Sequence, residues 1–183
     1  FMCGIAGIIH SDPSRPVCPD TIRAMCDAMA HRGPDGSGQH VDGRVGIGMR
    51  RLSIIDLVGG HQPLFNEDGQ IAVVLNGEIY TFRELRQRLE AAGHQFRTQC
   101  DTEAIVHAYE AWGDDCVRHL RGMFSFAVLD MRVPGTSGAP RIFLARDRLG
   151  IKPLYYAAIG GTFLFASEVR ALLASGHLEP RLS

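Results

Sequence analysis

Cys3 directly follows Met2, the one residue placed to initiate the chain, and opens the run Cys3-Gly4-Ile5-Ala6-Gly7-Ile8-Ile9. With Met2 removed, Cys3 would carry a thiol and a free α-amine on one residue. An α-amine titrates near about pH 7.7–8.0 and a thiol near about 8.5, so the amine can accept the thiol proton at neutral pH. Nucleophile and base then sit on one residue. Phe1, ahead of Met2, reads as foreign to a native start. If Phe1-Met2 is retained, the Cys3 nitrogen is an amide and that base is missing. The alternative reading of the run is an ordinary first strand with a buried cysteine, in which Gly4 and Gly7 admit close backbone neighbours.

Thiol attack on an amide needs donors for the oxyanion and groups that hold the substrate. Asn76-Gly77 can supply two donors, the Asn side-chain amide and the Gly backbone N–H, each worth about 10²–10³ in rate; it can equally be a plain turn. Arg51 can clamp a carboxylate through two parallel hydrogen bonds, or be a surface arginine. Glu78 and Asp101 can receive an ammonium group, although Asp at a helix start is also a good N-cap. The spacing alone leaves each of these pairs of readings open.

Bulk properties narrow the field. The chain has 183 residues, enough for one domain with a sizeable core, and 45% of them are hydrophobic. Formal charge is −1, from 19 Lys+Arg against 20 Asp+Glu, so no basic field argues for nucleic acid. No apolar run reaches membrane-spanning length, and the start lacks a signal peptide's charged and apolar regions. The five cysteines (Cys3, Cys18, Cys26, Cys100 and Cys116) are odd in number, widely spaced and free of C-x-x-C pairs. A disulfide framework or structural zinc site is not expected, and a reducing cytoplasm is. The eight histidines show no H-x-x-x-H or similar spacing, so no metal is expected.

Several elements must position these groups. Ile22, Met25, Cys26 and Met29 fall at helical spacing within 19–31. His31-Arg32-Gly33-Pro34-Asp35-Gly36-Ser37-Gly38 is dense in turn formers and reads as a loop. Residues 44–55 read as extended, and 70–75 as a short strand running into Asn76-Gly77-Glu78-Ile79-Tyr80. Thr81-Phe82-Arg83-Glu84 has capping-box spacing ahead of Leu85 and Leu89, with Gly93 as a stop. A second helix follows Asp101-Thr102-Glu103 and ends at Gly113. Strands are predicted at 123–129, 141–145, 154–158 and 162–166, with a surface loop at 133–140 and a last helix over 167–173. Strands at both ends with helices grouped between them predict an α+β layered domain.

Taken in order, Cys3-Gly-Ile-Ala-Gly, His31-Arg-Gly-Pro-Asp35, Arg51-Leu-Ser-Ile-Ile-Asp56, Gln62-Pro-Leu64, Asn76-Gly-Glu-Ile-Tyr80, Asp101-Thr-Glu103, Gly122-Met-Phe-Ser-Phe126 and Arg146-Asp-Arg-Leu-Gly-Ile-Lys-Pro-Leu-Tyr-Tyr156 resemble the glutaminase domain of asparagine synthetases. That domain is a class II glutamine amidotransferase of the N-terminal-nucleophile hydrolase type. The resemblance covers residues 3–173, and 174–183 would begin a linker to a second, ATP-dependent synthetase domain. It implies a four-layer αββα sandwich, two antiparallel sheets between helices. It further implies hydrolysis of glutamine to glutamate and ammonia: Cys3 attacks, its α-amine is the base, Asn76 and Gly77 form the oxyanion hole, Arg51 holds the α-carboxylate, and Glu78 and Asp101 hold the α-amine.

No cofactor is implied for this domain; ATP and Mg belong to the synthetase domain, whose Ser-Gly-Gly-x-Asp-Ser loop is absent from the sequence. The implied partners are glutamine and that domain, with a homodimer as a further expectation. Asparagine from aspartate is the default product, with another carboxylate acceptor or a glutamine-binding, catalytically silent domain as alternatives. Two departures stand out. Thr81 replaces the usual Asn after Glu-Ile-Tyr, and Cys100 replaces a common Ser before Asp101. Cys100 is either close to the substrate or an inert buried thiol.

Overall fold

The strand that follows Cys3, β1 (Gly4–His10), is the middle strand of a five-stranded antiparallel sheet. Its neighbours are β3 (Val45–Arg51) on one side and β9 (Thr162–Ala166) on the other, with β2 (Gly36–Asp42) and β8 (Tyr155–Ile159) at the edges, in the order β2-β3-β1-β9-β8. The second sheet is antiparallel and four-stranded: β4 (Leu64–Phe65), β5 (Ile71–Ile79), β6 (Gly122–Asp130) and β7 (Arg141–Arg146), in that order. This computed structural model describes residues 2–52, 60–132 and 140–180. The predicted loop at 133–140 therefore falls outside the described residues except for Pro140, as do Ser53-Ile54-Ile55-Asp56 and the last three residues of the proposed linker.

Side-chain alternation explains the layering. Successive residues of a strand point to opposite faces. Ile5, Val45, Ile47, Met49 and Phe165 of the first sheet therefore meet Ala72, Val74, Ala127 and Leu129 of the second, forming a central apolar layer. The alternate residues Ala6, Ile8, Leu164 and Ala166 face outward, onto helices α1 (Pro19–Asp27) and α4 (Val169–Ala174), through Ile22, Met25, Ala171 and Leu172. On the far side, Val73, Leu75, Phe126 and Val128 pack under α2 (Phe82–Ala91) and α3 (Asp101–Trp112), through Leu85, Leu89, Ile105 and Tyr109. The result is the αββα sandwich.

Some sequence expectations change in detail. Asn76-Gly77 is not a turn: it lies inside β5, paired with Ser125 and Phe124 of β6. Gly77 holds a φ of 152°, and a Cβ there would lie 2.2 Å from the Met123 carbonyl oxygen. Only glycine fits. The turn-rich stretch after His31 becomes strand β2 at Gly36, because its backbone pairs with Arg50 and Arg51 although its side chains carry little strand propensity. Helix α1 stops at Asp27, short of His31. Thr81 occupies the N-cap position of α2 without a side-chain capping bond; its hydroxyl accepts the Arg121 N–H at 3.2 Å instead. The last helix begins at Val169 rather than Ser167, with Glu168 extended.

Gly38 of β2 shows how tightly the 62–63 segment lies on the first sheet: a Cβ there would be 1.8 Å from the Gln62 carbonyl oxygen. Backbone cannot yield as a flexible side-chain tip can. Gly38→Ala is expected to lower stability by about 3 kcal/mol, read as a lower thermal unfolding midpoint.

Candidate active site

The residues singled out in the sequence converge. Cys3, Arg51, Asn76, Gly77, Glu78 and Asp101 line one pocket of about 140 Å³. Cys3 sits just before β1, and its Sγ lies beside Leu52 at the end of β3. It accepts the Leu52 N–H at 3.4 Å and donates to the Leu52 carbonyl oxygen at 3.6 Å. Burial pushes the Cys3 thiol pKa up, against the pull of the Leu52 N–H and the Arg51 charge. A thiol held protonated in this way depends on a proton acceptor for nucleophilicity.

The stretch around His31 braces this end of β1. Arg32 Nε donates to the Cys3 carbonyl oxygen at 2.9 Å, and Arg32 also pairs with Glu168 at 3.1 Å, which in turn meets His31 at 3.0 Å. Gly33 lies against the Arg50-Arg51 backbone so closely that a Cβ would come within 2.4 Å of it. The Asp35 N–H donates to the Arg51 carbonyl oxygen at 3.1 Å. One loop thus fixes both the cysteine and Arg51, which is buried at the end of β3.

Asn76 is fully buried, yet its amide is underused. Nδ2 makes only two long contacts, at 3.5 Å, to the hydroxyls of Ser125 and Ser167, and Oδ1 has no hydrogen-bond partner among the described residues. Such spare capacity is costly in a finished core and useful in a site. Asp101 begins α3, but Cys100 occupies the N-cap position and Asp101 does not cap. Its Oδ2 instead accepts the Ile79 N–H at 2.9 Å. Burial pushes the Asp101 carboxyl pKa up and the Glu78 charge adds to that, while the Ile79 N–H opposes them. Two carboxyl groups facing one pocket favour a cation between them.

Several lining residues received no role from sequence reasoning. Gln62 bridges the site, accepting the Leu75 N–H at 2.7 Å and donating to the Thr102 hydroxyl at 3.0 Å. Lys152 is buried, and its Nζ contacts the Met2 sulfur at 2.9 Å. Both residues lay inside quoted motifs, which was the signal available. Cys100 lines the pocket yet is buried, with burial first among the causes that push its thiol up to about 11. Cys100 is thus both at the site and buried.

Lys152 is presented by the turn that follows β7. The Asp147 carboxylate accepts the N–H groups of Phe124 at 3.2 Å, Ile151 at 2.9 Å and Lys152 at 3.0 Å. Burial alone would raise the Asp147 pKa, but these bonds hold it below the usual carboxylate range. Its stabilisation is therefore present above the unfolded pKa, about 3.9, and lost as pH falls through the lower folded value. Asp147→Asn is expected to lower stability at pH 7 and to flatten the acid limb of a stability-versus-pH curve measured by denaturant unfolding.

A family model described as a glutamine amidotransferase domain matches residues 2–183. The chain belongs to this family. Among curated relatives, it is 45% identical over 178 residues to asparagine synthetase [glutamine-hydrolyzing] 2 of Bacillus subtilis, covering 96% of this chain and 23% of that protein. It is 41% identical over 172 residues to asparagine synthetase [glutamine-hydrolyzing] 3 of Arabidopsis thaliana, covering 93% of this chain and 28% of the relative. The chain thus spans about a quarter of the length of these relatives. Among solved structures, glutamine phosphoribosylpyrophosphate amidotransferase from B. subtilis superposes with a TM-score of 0.77 at 23% identity, over 95% of this chain and 44% of that one. At that identity the likeness speaks to the fold, which is an amidotransferase fold with two antiparallel sheets. No helix among the described residues is long and apolar enough to cross a membrane.

Proposed function

We propose that this amidotransferase domain hydrolyses glutamine to glutamate and ammonia through a glutamyl thioester on Cys3. The observation that carries the reading is the meeting, in one small pocket, of the thiol, an underused buried amide, a buried arginine and two carboxyl groups. Glutamine offers a matching set: a carboxylate for Arg51, an ammonium for Glu78 and Asp101, and an amide carbonyl whose developing oxyanion faces Asn76 and the Gly77 N–H. The Cys3 α-amine, once free, takes the thiol proton as sulfur attacks the carbonyl carbon. That proton passes to the departing nitrogen, the C–N bond breaks and ammonia leaves. Water, deprotonated by the same amine, then cleaves the thioester and frees glutamate. The step balances without a cofactor.

The relatives' names and greater lengths support a longer parent protein in which residues 174–183 lead toward a synthetase domain, and our reading assigns ATP and Mg to that domain. In our reading that domain receives the ammonia, with aspartate as default acceptor and asparagine as product, in the cytoplasm and as a homodimer of the parent. One observation favours a silent state for the chain with Met2 attached. Met2 itself lines the pocket, its sulfur is on Lys152, and its N–H donates to the Arg32 carbonyl oxygen at 3.2 Å.

The test compares ammonia release from glutamine by a chain starting at Cys3 with release by the chain retaining Phe1-Met2, with intact mass tracking the start. Turnover is expected only with the free Cys3 amine. Equal turnover from both forms would refute the amine as the base.

A further inference from the structure

Away from the Cys3 pocket, two histidines and two glutamates are gathered where α3 meets the segment that follows α2. His94, His107 and Glu110 each offer one ligand atom, and these three atoms all lie within 4.8 Å of one another. The Glu110 oxygen is 2.8 Å from His107 Nδ1 and 3.4 Å from His94 Nδ1. We propose that His94, His107 and Glu110 form a binding site for a divalent first-row transition metal, with zinc as the best-fitting case.

The donor set is two imidazole nitrogens and one carboxylate oxygen, which suits zinc in a three-ligand site with water in the fourth place. Zinc bonds of about 2.0–2.1 Å in a tetrahedron set ligand atoms roughly 3.3–3.4 Å apart. The His94–Glu110 separation already has that value, and the His107–Glu110 pair must open by about 0.5 Å. The side chains of His94 and Glu110 are 21% and 16% exposed, so a cation and its water can enter.

A second shell is also in place, and this separates the group from a chance cluster. Glu110 keeps its coordinating oxygen aimed inward because its other oxygen accepts the Asn66 Nδ2–H at 2.7 Å. Behind buried His107, Nε2 faces a Glu103 oxygen at 3.9 Å. Glu103 is itself pinned by the Arg97 N–H at 2.7 Å, the Thr98 N–H at 2.8 Å and the Thr98 hydroxyl at 2.6 Å. A hydrogen bond on the ligating carboxylate is a support that metal sites use to fix ligand orientation, and Glu103 stands behind His107 at ion-pair rather than hydrogen-bond distance. Phe96, with its ring 4.5 Å from that of His107, closes one side with apolar surface. The bound ion would tie the 94–100 segment to α3, the helix whose first residue is Asp101.

Sequence spacing hid the group because His94 and His107 are thirteen positions apart and only His107-x-x-Glu110 lies on one helix face. The test is a titration of the chain with Co²⁺, read by visible absorption, and with Zn²⁺, read by calorimetry, for wild type, His94→Ala and Glu110→Gln. Both substitutions lie at partly exposed positions, and unchanged far-ultraviolet circular dichroism would certify their folds. One equivalent of Co²⁺ should give tetrahedral visible bands without thiolate charge-transfer absorption. Zn²⁺ should bind at least tenfold more weakly in each variant and raise the unfolding midpoint of the wild type alone. Binding that is absent, equal in wild type and variants, or marked by thiolate bands would overturn the proposal.

Discussion

Replacing Cys3 by alanine is expected to reduce ammonia release from glutamine to background, a loss of about 10⁴-fold or more for a chain whose first residue is position 3. The second thiol lining the pocket, Cys100, is buried and pushed up to about 11, which makes it a poor substitute nucleophile. Stability should change little, because Cys3 is only half-buried and gives up two long Sγ contacts to Leu52 and a partial packing contact with the central apolar layer. Binding should survive as well, since Arg51, Glu78 and Asp101 keep their places. Calorimetry with glutamine, beside a coupled ammonia assay, separates the two properties. An alanine variant that binds glutamine without turnover supports covalent catalysis, whereas persistent turnover would remove Cys3 from the mechanism.

The second large effect is at Asn76. Asn76→Ala is expected to lower kcat by about 10²–10³ with KM little changed, because an oxyanion donor acts on charge that develops only in the transition state. The usual objection to changing a buried polar residue is structural damage. Among the described residues, Oδ1 has no partner to lose and Nδ2 loses only two contacts at 3.5 Å, so the fold should tolerate the change. Steady-state kinetics with an unfolding curve for each variant checks both statements. A large rise in KM at constant kcat would instead make Asn76 a ground-state binding residue.

How much of this was legible in the sequence depended on whether a residue acts through its type or through its surroundings. The layered α+β architecture followed from the placing of apolar runs, and the αββα arrangement from the family resemblance. The Asn76-Gly77 pair misleads when read locally, since Asn-Gly is a strong turn signal. Inside β5, glycine is required because the β6 backbone crosses too near for a Cβ, a reason of tertiary origin. Asp101 looked like a cap for an equally local reason, yet the Ile79 N–H captures its carboxylate. Strand β2 was missed because Gly36, Ser37 and Gly38 lack strand propensity, and pairing with β3 imposes the extended form. Arg32, Gln62 and Lys152 carried no reason of their own in the sequence, because what they do is reach across long separations to carbonyls, hydroxyls and the pocket wall.

The central place of β1 bears on how the domain is made. Its two hydrogen-bonded neighbours come from very different times in synthesis: β3 ends at Arg51, while β9 begins at Thr162. The Ile5 N–H waits for the Ser167 hydroxyl, 162 positions away, and Arg32 waits for Glu168. A ribosome releasing this chain from its N-terminus therefore exposes the strand behind Cys3 with one open edge until nearly the whole domain has emerged. Long-range pairing of this kind slows folding and leaves an edge available to other chains. Nascent chains halted before residue 162 should consequently possess Cys3 but no assembled pocket, because β1 then lacks its second neighbour.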